Sequence, residues 1–93
     1  MLKKMPLQCP SCSSPLEVKT LQCAQCATTV NGHFPLPLLA SLEADDQSFV
    51  IEFVKSSGSL KEMARHLGLS YPSVRNRLDE LISKIKNLEN SNP

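Results

Sequence analysis

The feature that most constrains this chain is a pair of Cys-x-x-Cys motifs separated by ten residues. The motifs contain its only four cysteines, Cys9, Cys12, Cys23 and Cys26. Each motif places two thiols on one tight turn. If the chain between the turns runs out as a strand and back again, the two pairs meet and the four sulfur atoms lie at the corners of a tetrahedron. Four thiolates in that arrangement are the ligands of a structural zinc site. The spacing therefore predicts that the four cysteines bind Zn²⁺.

Other uses of these cysteines fit the sequence less well. Two disulfides would suit a small secreted protein, but residues 1–7 contain no apolar run of the kind a secretory signal needs. We therefore expect a cytoplasmic protein with reduced thiols. A redox Cys-x-x-Cys needs a helix start to stabilise its thiolate, and Pro10 and residues 11–15 predict none. Iron, which four thiolates also hold, stays open at this point.

Enzyme activity is not expected. A zinc ion with four protein thiolates has no open position for water or substrate. The 93 residues contain no Gly-rich phosphate loop and no nucleophile beside a base, and Asp45-Asp46 is better explained as the acidic start of a helix. No stretch is long and apolar enough to cross a membrane. We thus expect neither a small-molecule substrate nor a membrane partner.

The sequence predicts a small α+β protein of two units. Residues 1–34 form a zinc ribbon, in which residues 16–20 alternate apolar and polar like a strand and residues 28–30 begin a second strand. Asn31-Gly32 predicts a turn after it. Residues 35–40 form a proline-rich linker, and residues 41–93 form an all-α domain.

Helix signals in the second unit are specific. One helical face of the first segment is expected to contain Leu42, Phe49, Val50, Phe53 and Val54. A capping box at Ser59 starts the next helix, which should bury Leu60, Met63, Ala64 and Leu67. Gly68 ends that helix and Ser70 caps a third.

The corner between these helices has the spacing of a helix-turn-helix. Ala64 is small enough to let two helices cross closely, Gly68 allows the turn, and Val74 fills the hinge from the other side. Pro72 is tolerated because it lies in the first turn of its helix. The segment 67–78 looks like the DNA-reading part of bacterial repressors and sigma factors.

As a whole, the chain resembles a bacterial family catalogued as a domain of unknown function. The resemblance is carried by Cys-Pro-x-Cys, the second Cys-x-x-Cys, Phe-Pro-Leu-Pro-Leu at 34–38 and the segment 70–78, and it spans nearly the full length. It implies an N-terminal four-cysteine zinc ribbon joined to a C-terminal helix-turn-helix. It implies no established activity.

The exposed side of the third helix suits double-stranded DNA. We expect Arg75 and Asn76 to read bases, because arginine forks onto guanine and asparagine onto adenine in the major groove. The groups expected to contact phosphates, or to lie beside them, are Ser70, Tyr71, Ser73, Arg77, Lys61 and Arg65. The leading hypothesis is therefore a DNA-binding transcription regulator.

Charge keeps a second hypothesis open. The chain has a net charge of only +1, and residues 41–93 contain seven Lys/Arg against eight Asp/Glu, although residues 59–78 contain four basic residues and only Glu62 as an acid. A weakly basic corner also fits a non-enzymatic adaptor whose ribbon and helices dock proteins such as RNA polymerase or a sigma factor.

The C-terminal helix raises the question of a homodimer. Apolar residues recur at heptad spacing at Val74, Leu78, Leu81, Ile85 and Leu88. The stripe predicts either self-association through this helix or packing of the helix on Phe49 and Phe53 of the same chain.

Overall fold

The structure, a computed structural model, describes residues 4–91, with the side chain of residue 91 left out. Two antiparallel strands are followed by a short 3-10 helix and three α-helices. The chain divides into two compact units between residues 41 and 42. This order matches the predicted α+β fold class, a zinc ribbon followed by an all-α helix-turn-helix domain.

The N-terminal unit is built on one β-hairpin. Strand β1 (Glu17–Gln22) pairs with strand β2 (Thr29–Pro35), and the second Cys-x-x-Cys forms the connection between them. The predicted strands at residues 16–20 and from residue 28 are confirmed, whereas the expectation of a strand out and back between the two cysteine pairs is wrong. A single strand lies between them, and the return strand follows the second pair.

Asn31-Gly32 does not form the predicted turn, because both residues lie inside β2. Val18 pairs with Phe34 whereas Thr20 pairs with Asn31, so Gly32 and the residue after it lie opposite a single residue of β1. This is a β-bulge, which glycine favours. A Cβ on Gly32 would lie 2.8 Å from the Phe34 ring, so glycine also makes room for that ring.

The predicted linker contains more regular structure than its prolines suggested. Pro35 is still paired with Glu17 at the end of β2, and Leu38–Ser41 forms the 3-10 helix. Ser41 closes that turn by donating from both its amide and its hydroxyl to the Pro37 carbonyl, at 3.0 and 3.1 Å. Prolines hold the chain in the extended conformation on either side of residue 36, but they do not prevent a helical turn after residue 37.

The C-terminal unit contains helices α1 (Ala44–Lys55), α2 (Leu60–Leu67) and α3 (Tyr71–Ser91). Its core consists of apolar side chains from all three helices and from the residue two before α1: Leu42, Phe49, Leu60, Met63, Ala64, Val74 and Leu81. Met63 and Val74 are fully buried. Seven apolar side chains, from alanine to phenylalanine in size, thus form a single core for this unit.

Two residues expected in this core lie outside it. Val54 is 68% exposed and Leu67 is 41% exposed. Val54 follows Phe53 by one position, which turns its side chain about 100° away from the core-facing side. Leu67 is the last residue of α2, directly before the left-handed Gly68 at which the chain turns.

The heptad stripe of α3 packs on its own domain. Val74 and Leu81 are buried, and Leu78, Ile85 and Leu88 are partly buried against the same core, as are Val50 and Phe53 of α1. Of the two predictions for this stripe, the structure shows the packing within one chain. Self-association through α3 stays a prediction.

Candidate metal centre and nucleic-acid interface

The two Cys-x-x-Cys turns have the same backbone. In the first, the Cys9 amide donates to the Ser14 carbonyl at 2.9 Å and the Ser13 amide donates to the Cys9 carbonyl at 2.8 Å. In the second, Cys23 replaces Cys9, Ala27 replaces Ser13 and Thr28 replaces Ser14, with distances of 2.8 and 2.9 Å. We call these turns the first and second knuckle.

Each knuckle depends on one residue in the left-handed conformation. Ser13 has φ 62° and Ala27 has φ 64°, the equivalent position in both turns. This conformation is strained for a residue with a Cβ. Both knuckles keep it because it folds the chain tightly enough for two thiols to lie on the same side of the turn.

Hydroxyl groups stabilise the thiolates, a feature that the sequence analysis missed. Hydrogen bonds from the Ser14 hydroxyl, then from its amide and from Cys9, lower the pKa of Cys12. Thr28 lowers the pKa of Cys26 in the same way, first through its hydroxyl and then through its amide. The Thr28 hydroxyl oxygen lies 3.0 Å from the Cys26 sulfur. The signal is the repeated Cys-x-Ser/Thr that ends both motifs.

The donor atoms suit zinc, but the structure shows them as two separate pairs. Among residues 4–91, no group of three or more His, Cys, Asp or Glu side chains lies close enough to hold a metal ion. The six residues of β1, at about 3.3 Å each, separate the knuckles along the chain. A four-thiolate site therefore requires the knuckles to approach each other.

The helical corner has the geometry that its sequence predicts. The Ser59 hydroxyl accepts from the Glu62 amide at 3.2 Å and caps α2. At the other end Gly68 has φ 67°, and the Leu69 amide donates to the Ala64 carbonyl at 3.0 Å. A weaker bond runs from the Gly68 amide to the next carbonyl along, at 3.4 Å. Together these bonds form a Schellman turn.

The third helix starts two residues after that turn. The Ser70 hydroxyl accepts from the Ser73 amide at 3.3 Å and lies 2.8 Å from the Ser73 hydroxyl. Ala64 is 8% exposed and Val74 is fully buried, so the small residue and the hinge residue both lie inside the corner. The first two turns of α3 consequently present their opposite side to solvent.

Comparison with known families identifies both units. Residues 9–40 match the model described as the DUF2089 zinc ribbon, and residues 42–88 match the model described as domain of unknown function (DUF2089)-HTH. The chain belongs to the DUF2089 family. No curated protein and no solved structure matches it. The two matched segments meet at residue 41, where the DUF2089 zinc ribbon and helix-turn-helix also separate in the structure.

Seven of the eight residues predicted to bind DNA are exposed on the DUF2089 helix-turn-helix. They are Lys61 and Arg65 on α2, Ser70 in the turn, and Tyr71, Ser73, Arg75 and Asn76 on α3. Two of the arginines are already paired, Arg65 with Glu62 at 2.6 Å and Arg75 with Asp79 at 3.4 Å. Both pairs are largely exposed, so solvent screens them and DNA can displace them at small cost.

Arg77, the eighth residue, faces the body of the DUF2089 helix-turn-helix. Its guanidinium lies 3.4 Å from an Asp46 carboxylate oxygen and 5.6 Å from the centre of the Phe49 ring. Lys84, one heptad later, donates to the other Asp46 oxygen at 2.8 Å. This placement does not favour the phosphate contact expected of Arg77, because the side chain already joins α3 to α1.

Asp46 is the residue of the DUF2089 helical unit that sequence reasoning missed. It is 4% exposed, and it is the only buried charged side chain in the described part of the chain. The hydrogen bond from Lys84 is the main reason that its pKa is lowered, with Arg77 adding to the effect and burial opposing it. Asp45 lies directly before it, and nothing in the sequence shows which of the two aspartates is buried.

Proposed function

We propose that this protein is a cytoplasmic, DNA-binding transcription regulator that acts without catalysis. The observation that supports this best is the corner itself, in which a capped α2, a left-handed Gly68 and a buried Val74 leave the N-terminal half of α3 exposed. In helix-turn-helix proteins that half of the second helix enters the major groove. None of the described helices is long and apolar enough to span a membrane.

Some of the exposed side chains contact bases and others contact phosphates. Arg75 and Asn76 read base edges, since both can make two hydrogen bonds to one base. Ser70, Tyr71 and Ser73 at the start of α3, with Lys61 and Arg65 on α2, contact phosphates and fix the position of the helix. Helix N-termini suit phosphates because their amides and dipole both favour an anion.

The ribbon adds a structural zinc site to this regulator. Cys9, Cys12, Cys23 and Cys26 hold the ion, and four thiolates leave it no catalytic position. Each knuckle already has the tight turn and the hydroxyl partner that favour the thiolate form. Zinc would replace the core that the ribbon lacks, because no side chain in residues 4–41 is buried.

Binding selection from a randomised duplex pool tests the DNA-reading role. The zinc-loaded protein should enrich one motif at about 50 mM salt, and enrichment should weaken at about 200 mM as phosphate contacts are screened. Arg75→Ala and Asn76→Ala should each weaken binding to the selected site by ~1–3 kcal/mol. Lys86→Ala, an exposed lysine in the C-terminal half of α3, is the matched control and should change binding little.

An adaptor remains the second candidate, and one observation favours it. Leu67, Leu69 and Tyr71 are all exposed around the same corner, and this apolar surface suits a protein partner. Selection that enriches no motif at either salt would favour this candidate. RNA polymerase and sigma factors are then the first partners to test by pull-down, with Leu69→Ser as the variant expected to abolish capture.

Homodimer formation would strengthen either function. The heptad stripe is used within the chain, which leaves Ile82, 37% exposed, as the apolar residue beside the stripe that still faces solvent. Sedimentation of the full chain with and without Ile82→Glu measures whether α3 pairs with a second copy. A two-fold symmetric selected motif would independently support a dimer.

A further inference from the structure

The exposed face of α3 places one carboxylate beside the arginine that is expected to read bases. Arg75 and Asp79 are one helical turn apart, 3.4 Å from nitrogen to oxygen, with their side chains 52% and 55% exposed. Both point away from the core, because Val74 and Leu81 on the same helix are buried. Solvent screens such a pair, so it contributes little to folding.

Asp79 also lies where the helix can reach bases. It is the ninth residue of α3 and continues the line of Tyr71 and Arg75, each one turn further from the corner. Four residues of helix rise about 6 Å, which corresponds to about two base-pair steps of 3.4 Å along the duplex. A helix that places Arg75 on a base edge therefore places Asp79 about two pairs further along.

We propose that Asp79 is a specificity-determining residue, one that accepts a hydrogen bond from a cytosine amino group at the preferred site and opposes binding elsewhere. The proposal rests on the proposed DNA-reading function. An ionised carboxylate can only accept hydrogen bonds. In the major groove guanine and thymine offer acceptors at their edges. Adenine offers an amino donor next to its N7 acceptor, whereas the cytosine amino group is the usual donor to Asp or Glu.

The pairing with Arg75 explains how one residue can have both effects. The contact between them is long, 3.4 Å from nitrogen to oxygen, and Arg75 gives it up when it turns both ends of its guanidinium fork to a guanine or a phosphate. At most sequences this leaves the carboxylate without a cation beside a negatively charged duplex, which weakens binding. Where a cytosine amino group lies opposite, Asp79 accepts a hydrogen bond from it in place of Arg75. That hydrogen bond offsets the binding free energy lost when the arginine leaves.

Two variants from the same helical turn test the proposal. Asp79→Asn and Glu80→Gln each remove one negative charge, but Glu80 is turned about 100° from Asp79 and away from Arg75. Both residues are exposed, so equal thermal unfolding of the two variants and the parent protein is expected. A binding motif would be selected with each of the three proteins. The affinity of each protein would then be measured for the selected duplex and for a scrambled duplex of equal composition.

Asp79→Asn should bind the scrambled duplex about tenfold more tightly, because it removes the repulsion between the carboxylate and the negatively charged duplex. It should also lose the cytosine preference at one position while keeping the guanine read by Arg75. Glu80→Gln should keep the parent motif and shift both affinities equally. An unchanged motif in Asp79→Asn, or equal shifts in the two variants, would overturn the Asp79 proposal alone. No motif with the parent protein would overturn the DNA-reading function as well.

Discussion

Asp46 shows how much one side chain can decide in a domain this small. Its two oxygens accept from Arg77 and Lys84, two cations seven residues apart on α3, while its own backbone belongs to the first turn of α1. An acid in that turn also interacts favourably with the helix dipole. The carboxylate therefore fixes the long helix against the first helix at two points, and the Phe49 ring beneath Arg77 adds a cation–π contact.

Asp46→Asn should lower the free energy of unfolding by ~1.5–3 kcal/mol, the range for hydrogen bonds to charged groups. Arg77 and Lys84 are about half exposed and regain water, which keeps the loss below that of a fully buried ion pair. Urea titration measures the difference. Asp45→Asn, an exposed neighbour in the same turn, is the control, and a comparable loss in that variant would contradict the role of Asp46.

The same carboxylate predicts a pH dependence. The pKa of Asp46 is lowered in the folded protein, so its contribution is present above the ordinary aspartate range, about 3.9, and is lost as pH falls through the folded value. The acid side of the stability curve should therefore be steeper in the parent protein than in Asp46→Asn. Parallel acid limbs of the two proteins would rule this contribution out.

At the scale of elements, the turn between α2 and α3 depends on one backbone conformation. Gly68 has φ 67°, yet a Cβ built there would meet no atom within 4 Å. The cost of a larger residue at this position is thus conformational and not steric. Gly32 differs, because a Cβ there would lie 2.8 Å from the Phe34 ring.

Gly68→Ala should destabilise the helical unit by ~1 kcal/mol, the cost of the left-handed conformation for a residue with a Cβ. Gly68→Asn should recover part of that loss, because asparagine tolerates this conformation better. Thermal unfolding measures both. Equal stability of the alanine and glycine proteins would mean that the corner can form without a left-handed residue.

At the scale of the whole molecule, the two units are stabilised in different ways. The helical unit has seven buried apolar side chains. In the ribbon, no side chain of residues 4–41 is buried, and an isolated two-stranded hairpin is marginal in water. The ribbon is therefore expected to depend on its metal, and the helical unit on its core.

Chelating zinc should unfold the ribbon and leave the helices folded. Hydrogen exchange is the measurement, because it reports the two units separately: protection should vanish in β1 and β2 and persist in α1, α2 and α3. Cys9→Ser should behave like the chelated protein, whereas Ser11→Ala in the same knuckle should keep its metal. Full protection of the strands after chelation would contradict a structural role for zinc.

Local signals were enough to predict much of this protein. Cysteine spacing predicted the ribbon, and Ser59 as N-cap, the glycine at 68 and the spacing to Val74 predicted the corner, because each of these features depends on residues close together in sequence. The predicted capping box forms only in part, because the Glu62 carboxylate pairs with Arg65 and the Ser59 amide donates to the Ser56 carbonyl. The family models agree with both units. The start of α3 and the use of Ser70 as its cap follow from the same short-range rules.

Only the tertiary structure decided the rest, since these features join residues far apart in sequence. Asp46 differs from Asp45 through contacts 31 and 38 residues away, and the contact with Asp46 holds the Arg77 side chain against α1. The register of β2 makes Asn31-Gly32 part of a bulge, and the end of α2 leaves Leu67 exposed. A sequence pattern limits the contacts that a residue can make, whereas its neighbours across the fold determine which of those contacts form.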